Sequence, residues 1–373
     1  MQSNTKKLIS IVINTLTSLR IFFALMVFGA HCYVIDSSFD AHFFKEGFVG
    51  VSFFFVLSGF IIAYNYQEKL LEKTATKRTF WVARLARIYP LHLLTLLIAV
   101  CIGGYVQYSG TADWIKHFAA STFLLQPFFP SADYFFSFNS PSWSLGCEQL
   151  FYFCFPLIVP FLHTKRSLFI TLLICLPIML AGMYLTNEEQ IKAYWYVNPF
   201  TRLPDFFVGV LLYQFYRSLC NKKLSYSTGT LLEAGAVALF LLFFCAADIP
   251  KVYRYSCYYW LPVSLIILIF ALQQGGISRL LSNRFLIIGG EISYSFYLIH
   301  LFIIDAYMRM SAHYHWQIQW TISVPVILCI TIILSLLSFY YFEKPANKWV
   351  KRIFTKKTII NQPHGIINKN TPN

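Results

Sequence analysis

The chain has 373 residues, of which 57% are hydrophobic and 12% are charged, and its formal net charge is +14. A mean hydropathy of +0.57, with apolar runs of about twenty residues, excludes a soluble globular protein and indicates a polytopic helical membrane protein. The Lys and Arg residues are scattered between the apolar runs. A positive-inside bias therefore explains the charge, and no nucleic-acid partner is expected.

Ten apolar runs are long enough to cross a bilayer, since ~30 Å of hydrocarbon requires about twenty helical residues. We therefore predict an all-α integral membrane protein with about ten transmembrane helices. Residues 1–17 are predicted to be a cytoplasmic N-terminal segment, 18–342 the membrane domain, and 343–373 a basic cytoplasmic tail that is partly disordered. The predicted spans are 18–35, 47–66, 86–106, 144–162, 167–186, 203–217, 228–247, 257–273, 285–308 and 318–342.

The distribution of basic residues between these spans predicts the orientation. With the N-terminus in the cytoplasm, inner segments hold 21 Lys and Arg residues through Lys357 and outer segments hold seven. Both termini are therefore predicted to be cytoplasmic, and the first helix is interpreted as a retained span and not as a signal peptide. The connection 107–143 contains an apolar piece, 117–129, that is too short to cross, so it is predicted to be re-entrant or interfacial.

The first predicted helix carries two ionisable residues, Arg20 and His31, which lipid disfavours. Their spacing is almost three helical turns, so both side chains leave the same face, about 16 Å apart along the axis. His31 lies toward the outer end, where a neutral imidazole is suited to act as a general base toward a hydroxyl. A histidine that hydrogen-bonds to a neighbouring helix is the alternative.

Two arginines lie at the start of the third predicted helix, on the inner side. Arg84 and Arg87 are three residues apart, so they share a helix face, and their guanidinium groups suit phosphate oxygens. Ordinary anchoring of a helix start by basic residues explains them equally well.

A carboxylate lies near the start of the fourth predicted span. We expect Glu148 about one turn below the outer surface, at a depth similar to that of His31. There it would orient the imidazole and stabilise its protonated form. The alternative is a structural partner of a buried cation such as Arg202.

Four further residues are candidates for supporting roles. Ser58 lies in a span of small and aromatic residues, which allows close approach of a helix or a thin ligand, with helix packing favoured. Arg202 and Asp205 are interpreted as a structural ion pair that alternatively borders an acceptor site. His300 lies high in the ninth span, as a packed neighbour or as a group that joins the catalytic site.

Several other patterns are not interpreted as catalytic. The H-x4-D pattern from His300 to Asp305 falls within one helix, where the two side chains diverge by about 140°, and Asp305 is predicted to pair with Arg309 instead. The nine cysteines have no spacing suited to zinc, so no metal site is predicted. The sequence also lacks P-loop and H-E-x-x-H motifs, which disfavours nucleotide hydrolysis and metal-dependent hydrolysis.

Seven motifs in order along the chain resemble those of the acyltransferase-3 family of integral membrane O-acyltransferases, which includes bacterial O-acetylases of lipopolysaccharide and exopolysaccharide. They are L-R-x10-H at 19–31, F-F-V-L-S-G-F at 54–60, R-x-x-R-I-x-P at 84–90, W-S-L-G-C-E at 143–148 with F-Y at 151–152, R-L-P-D-F-F-V-G at 202–209, I-S-Y-S-F-Y-L-I-H at 292–300, and F-E-K-P at 342–345. The chain resembles the form of the family without a fused esterase-like domain.

The resemblance implies an acyl donor, acetyl-CoA or another acyl-CoA, that is a cosubstrate and not a bound cofactor. It implies transfer to a sugar hydroxyl of an envelope polysaccharide or lipid-linked saccharide, in the bacterial inner membrane and in contact with its lipid. His31 would be the catalytic histidine, and Arg84 and Arg87 would bind the donor phosphates.

The resulting hypothesis is direct transfer, with His31 oriented by Glu148 or Arg20. An acyl-enzyme on Cys32, Ser52 or Ser58 remains a variant of it. Two other classes of function are alternatives: a proton-coupled transporter of a lipid-linked or glycosylated substrate, and a sensor or scaffold. The sequence shows no internal repeat, which disfavours the transporter.

Overall fold

The computed structural model describes residues 13–103, 108–246 and 248–354. Within them the chain forms helices and connecting loops, and these residues include no β-strand. Seven of the described helices are long and apolar enough to cross a membrane. The protein is thus an all-α integral membrane protein. Parts of the predicted N-terminal segment 1–17 and of the tail 343–373 lie outside the described residues.

Twelve α-helices of more than ten residues make up the described bundle. They are α1 Asn14–His31, α2 Val49–Leu71, α3 Lys77–Ile102, α4 Thr111–Thr122, α5 Trp143–Ile158, α6 Lys165–Leu185, α7 Pro199–Leu219, α8 Tyr226–Cys245, α9 Trp260–Leu272, α10 Arg284–Tyr314, α11 Trp320–Ser338 and α12 Lys344–Phe354. Single turns of α-helix lie at His42–Lys45, Ala132–Phe135 and Lys251–Arg254, and a six-residue helix lies at Gly276–Leu281. Two π-helical segments, Lys192–Val197 and Phe339–Glu343, precede α7 and α12.

Each of the ten predicted spans overlaps one of these helices, but the boundaries differ, in part where capping residues act. Helix α3 begins at Lys77 and not at 86, because the Thr76 side chain accepts the Thr79 backbone N–H at 3.1 Å. Helix α7 begins at Pro199, where the Asn198 side chain accepts the Phe200 N–H at 2.9 Å. Helices α5, α7 and α9 are not among the seven long apolar helices, so the total of ten spans stays a prediction.

Glycines allow α2 and α7 to cross at close range. A Cβ added to Gly209 on α7 would meet the Val56 carbonyl oxygen and the Phe60 nitrogen on α2. A Cβ added to Gly59 on α2 would meet the Phe206 carbonyl oxygen in the same way. Backbone atoms cannot move aside as a flexible side chain can, so this contact requires glycine on both helices.

We expect Gly209→Ala to destabilise the protein by about 1–3 kcal/mol, because the added methyl overpacks a backbone contact. Gly235→Ala is the matched control, since a Cβ at Gly235 on α8 meets no atom within 4 Å. That control is expected to be neutral or slightly stabilising. Thermal unfolding in detergent compares the two variants, and equal midpoints would show that α2 and α7 separate without cost.

The connection between α3 and α5 folds back onto the bundle. Its helix α4 has 12 residues, or about 18 Å, which is too short to cross. The Asn139 side chain at the end of the connection donates to the Leu298 carbonyl oxygen of α10 at 3.1 Å. Because Trp143 follows four residues later, α5 begins beside the part of α10 that carries His300. This anchoring determines how deep the side chains of α5 lie.

Helix α12 occupies the start of the predicted tail. It packs against α3, where the Asn347 side chain donates to the Ala86 carbonyl oxygen at 2.9 Å. The π-helical segment before it buries Glu343, which is 3% exposed. The part of the tail that the structure describes is therefore ordered helix, and it closes one side of α3.

Candidate functional site

A cavity of about 340 Å³ lies between α1, α2, α3, α5 and α10. Most of its wall is apolar, with residues such as Leu16, Phe54 and Ile61. The ionisable and hydrogen-bonding side chains in the wall are Thr17, Arg20, Ser58, Tyr64, Asn65, Arg84, Arg87, Ser144, Glu148, Tyr152, Ser293, Tyr294 and Tyr297. The cavity thus gathers, from four helices, five of the candidate residues that the sequence analysis named separately or in pairs: Arg20, Ser58, Arg84, Arg87 and Glu148.

Among the described residues, Glu148 is the one carboxylate in the wall of this cavity. Its Oε2 atom accepts a hydrogen bond from the Tyr152 hydroxyl at 2.8 Å, one turn further along α5. The Tyr152 hydroxyl also lies 3.3 Å from the Ser58 hydroxyl on α2. Three guanidinium groups act on the carboxylate, those of Arg20, Arg87 and Arg84. The carboxylate therefore faces three guanidinium groups, of which that of Arg87 also pairs with Glu343.

Arg84 presents an unsatisfied guanidinium group to this cavity. It lies over the rings of Tyr66 and Tyr152, at 5.2 Å and 5.9 Å from their centroids. Its Nη2 atom donates to the Tyr66 hydroxyl at 3.5 Å, and its buried Nε atom has no hydrogen-bond partner among the described residues. A buried donor without a partner is costly, so this group is suited to an anionic ligand.

Arg87 has a protein partner that the sequence analysis did not identify. Its Nη1 atom forms an ion pair with Oε1 of Glu343, which follows α11, while Oε2 of Glu343 accepts from the Ser295 hydroxyl at 2.7 Å. The Arg87 guanidinium also lies 5.3 Å from the Tyr294 ring centroid. This contact fixes the direction of Arg87 and ties α3 to α10 and α11. The signal available in the sequence was an acidic residue directly after an apolar run.

His31 and His300 meet outside the lining of the cavity. The Nδ1 atom of His31 lies 3.1 Å from the Nε2 atom of His300, and the ring centroids are 5.1 Å apart. The His300 ring is also 5.9 Å from that of Tyr297, which does line the cavity. The histidine pair is therefore next to one end of the cavity wall, and Arg20 lies in the wall about 16 Å away along α1.

Glu148 and His31, which the sequence analysis expects to act together, have different neighbours in the structure. The groups that surround Glu148 are Tyr152 and the arginines of the cavity, and His31 instead contacts His300. The physical reason is the connection before α5, whose Asn139 anchors the start of that helix beside Leu298. The depth of Glu148 relative to His31 stays a prediction.

Arg202 and Asp205 lie outside the cavity lining and are both 0% exposed. Arg202 Nη2 lies 2.9 Å from Asp205 Oδ2 and donates to the Ser52 hydroxyl at 2.8 Å. Asp205 Oδ1 accepts from the Ser256 hydroxyl at 2.8 Å and from the indole of Trp260. These contacts connect α7 to α2 and α9, so the arrangement is that of a structural ion pair. Asp305 also pairs with Arg309 as predicted, at 2.7 Å.

The comparison with known proteins identifies the family of the chain. The profile of a family described as an acyltransferase domain, the acyltransferase-3 family, matches residues 13–340. This chain belongs to the acyltransferase-3 family. It is therefore an acyltransferase, and its apolar helices make it a multi-pass membrane protein. No solved structure matches the chain significantly.

Individual relatives of this acyltransferase-3 chain carry enzyme names. It is 29% identical over 343 residues to acyltransferase MdmB of Streptomyces mycarofaciens. The matched region covers 82% of this chain and 83% of the relative. It is 26% identical over 332 residues to O-acetyltransferase OatA of Staphylococcus aureus. That matched region covers 83% of this chain and 54% of the O-acetyltransferase. The chain spans about half the length of this O-acetyltransferase.

Among the described residues of this acyltransferase, no group of three or more His, Cys, Asp or Glu side chains is arranged to hold a metal ion. Two of the three residues named for an acyl-enzyme have contacts away from the cavity. Cys32 is buried with its thiol 3.3 Å from the Phe28 carbonyl oxygen, and Ser52 contacts Arg202. Ser58 alone of these three lines the cavity.

Proposed function

We propose that the protein is an O-acyltransferase that transfers an acyl group, acetyl in the first instance, from acyl-CoA to a sugar hydroxyl. The acceptor is an envelope polysaccharide or a lipid-linked saccharide, and the membrane is the bacterial inner membrane. The observation that carries the proposal is the cavity in which Arg20, Arg84 and Arg87 face the single carboxylate of Glu148. Membership of an acyltransferase family supports it.

The positive charge of the cavity supports a CoA thioester as the donor. Guanidinium groups bind phosphate through charge-assisted hydrogen bonds, and Arg84 has a buried Nε atom with no partner among the described residues. Lys351 of α12 lies close enough to Arg84 and Arg87 to interact with both. An anion with several phosphates would offset the repulsion between these cations. The bias in basic residues predicts that this end of the cavity faces the cytoplasm, where acyl-CoA is available.

The apolar part of the wall suits the arm of the donor that carries the thioester. Phosphates bound at Arg84 and Arg87 would leave this arm to extend along the cavity toward Ser144 and Tyr297. Tyr297 is next to His300, which contacts His31. The thioester would then approach the histidine pair from one side, and the acceptor hydroxyl would approach from the outer side.

The chemistry proposed is direct transfer within a ternary complex. His31 accepts the proton of the acceptor hydroxyl, and the oxygen forms a bond to the thioester carbonyl carbon. The carbon–sulfur bond breaks, CoA leaves as the thiolate, and the proton on His31 is transferred to that sulfur. Atoms and charge balance without an oxidant or a metal. The name O-acetyltransferase of one relative supports oxygen as the accepting atom and acetyl as the acyl group.

The test measures transfer of radiolabelled acetyl from acetyl-CoA to envelope glycan by the purified protein in liposomes. We expect Arg84→Gln to raise the KM for acetyl-CoA by about 10- to 100-fold, because one charge-assisted hydrogen bond is worth about 1.5–3 kcal/mol. Arg78→Gln is the matched control, since Arg78 is an exposed arginine in the first turn of the same helix. Its KM is expected to match that of the unaltered protein.

Two results would contradict the proposal. If cells that lack the protein keep the full alkali-labile acetyl content of their envelope glycans, the acceptor is of another class or the acyl group is not acetyl. If the liposomes move a glycolipid across the membrane with no dependence on acyl-CoA, the transporter replaces the enzyme.

A further inference from the structure

The contact between His31 and His300 has a direction that the surrounding hydrogen bonds determine. His300 is 1% exposed and is held between the rings of Phe296 and Tyr297, whose centroids lie 6.1 Å and 5.9 Å from its own. Its two ring nitrogens face different partners. Nδ1 lies 2.7 Å from the Tyr297 carbonyl oxygen, and Nε2 lies 3.1 Å from Nδ1 of His31.

The carbonyl partner determines the tautomer of His300. A backbone carbonyl oxygen only accepts hydrogen bonds, so the Nδ1 atom of His300 must carry a hydrogen. In a neutral imidazole the other nitrogen then has a lone pair and acts as an acceptor. The Nε2 atom of His300 therefore accepts the hydrogen bond from His31.

This acceptor in turn determines the tautomer of His31. The Nδ1 atom of His31 must carry the hydrogen that is shared with His300, which leaves the lone pair of His31 on Nε2.

We propose that His300 is a positioning residue that holds His31 in the tautomer with its basic lone pair on Nε2. This inference rests on the proposed function, in which His31 takes the proton of the acceptor hydroxyl. That proton goes to Nε2 of His31, while the Nδ1 hydrogen stays in its bond to His300. The imidazolium that forms keeps this hydrogen bond, which strengthens when the donor becomes charged. The proton then leaves Nε2 for the thiolate of CoA.

A neutral histidine suits this role in the membrane interior. A carboxylate in the same place would add a full charge that must be desolvated, and Glu148 is not there to supply one. His300 orients the base through a hydrogen bond between two neutral rings. The Tyr297 carbonyl fixes its own orientation, so the direction of the whole chain of hydrogen bonds is set by the backbone of α10.

The experiment compares His300→Gln with His300→Phe. The oxygen of a Gln side chain reaches about as far as Nε2 of His and still accepts a hydrogen bond, whereas Phe keeps the ring packing and removes the acceptor. We expect His300→Phe to lower kcat by about 10- to 100-fold with little change in the KM for acetyl-CoA, as is usual when an orienting partner is lost. His300→Gln is expected to retain most of the kcat.

A second readout does not depend on activity. Nitrogen-15 NMR of the histidine-labelled protein in bilayers is expected to show His31 with a protonated Nδ1 and an unprotonated Nε2. In His300→Phe this preference is expected to weaken, while His117 keeps its tautomer as an internal control. His31→Ala identifies the His31 signals and tests the proposed base independently.

The outcomes separate the two proposals. If His31→Ala keeps full activity, the proposed base is wrong whatever the tautomer. If His31→Ala is inactive but His300→Phe leaves both kcat and the His31 tautomer unchanged, the positioning role is wrong and the base stands. Equal loss of kcat in His300→Gln and His300→Phe, with the His31 tautomer unchanged in both, would show that His300 acts through packing only.

Discussion

Replacing His31 by Ala is expected to lower the rate of acyl transfer by about 10²- to 10⁴-fold, the range that a general base contributes. The arginines that would hold the donor lie on other helices or deeper on α1, so the KM for acetyl-CoA is expected to change little. The initial rate of acetyl transfer to glycan in liposomes, at saturating acetyl-CoA, measures this loss.

His313→Ala is the matched control for this experiment. His313 lies in the last turn of α10, on the helix that carries His300, but it is exposed and lies outside the cavity lining. Its activity is expected to equal that of the unaltered protein. Retained transfer in His31→Ala would overturn the assignment of the base, provided that both variants reach the same level in the membrane.

Direct transfer also predicts that the protein forms no covalent acyl intermediate. With acetyl-CoA present and no acceptor, no label is expected to stay covalently bound to the protein. An acid-stable labelled protein that disappears in Ser58→Ala would favour an acyl-enzyme, because Ser58 is the hydroxyl named for that variant that lines the cavity.

The helices of the fold could be predicted from the sequence, because an apolar run long enough to cross a bilayer forms a helix there. Backbone hydrogen bonds must be satisfied within the segment, so each run becomes a helix. The helix ends were less certain, since Thr76 and Asn198 extend α3 and α7 beyond their apolar runs. Capping is a local effect of polar residues, and a hydropathy pattern does not contain it.

The spacing of charged residues within one helix also predicted real contacts. Arg84 and Arg87 do share the face of α3 that lines the cavity, and Arg309 does pair with Asp305. Spacings of three or four residues place side chains together whatever the tertiary structure, so these statements needed no knowledge of helix packing.

Relations between helices were harder to predict. The sequence did not predict that the cavity arginines surround Glu148 while His31 contacts His300, because this depends on where the preceding connection is anchored, by Asn139 on Leu298. The partner of Arg87 was missed because Glu343 lies 256 residues away in the chain. Such contacts are set by helix packing, which one sequence without structure does not specify.

Asp205→Ala is expected to destabilise the protein by about 3–5 kcal/mol, the cost of leaving one partner of a buried ion pair without its counter-charge. Arg202 is 0% exposed and remains positively charged, so it would lie in the bundle with the Ser52 hydroxyl as its remaining hydrogen-bond partner in the described structure. The loss of the bonds from Ser256 and Trp260 adds to the effect. The free energy of unfolding in mixed micelles measures it.

Asp305→Ala is the matched control, because it removes an aspartate from an Asp–Arg pair within a helix turn at a partly exposed site. The side chains of Asp305 and Arg309 are 18% and 55% exposed, and such pairs contribute about 0–1 kcal/mol. The double variant Arg202→Leu with Asp205→Leu removes both charges and is expected to be more stable than Asp205→Ala alone. If Asp205→Ala costs no more than Asp305→Ala, the buried pair does not hold α7 to its neighbours. An acceptor-binding role for Arg202 and Asp205 would then be the better interpretation. In that case Asp205→Ala would lose transfer activity while its stability stays unchanged.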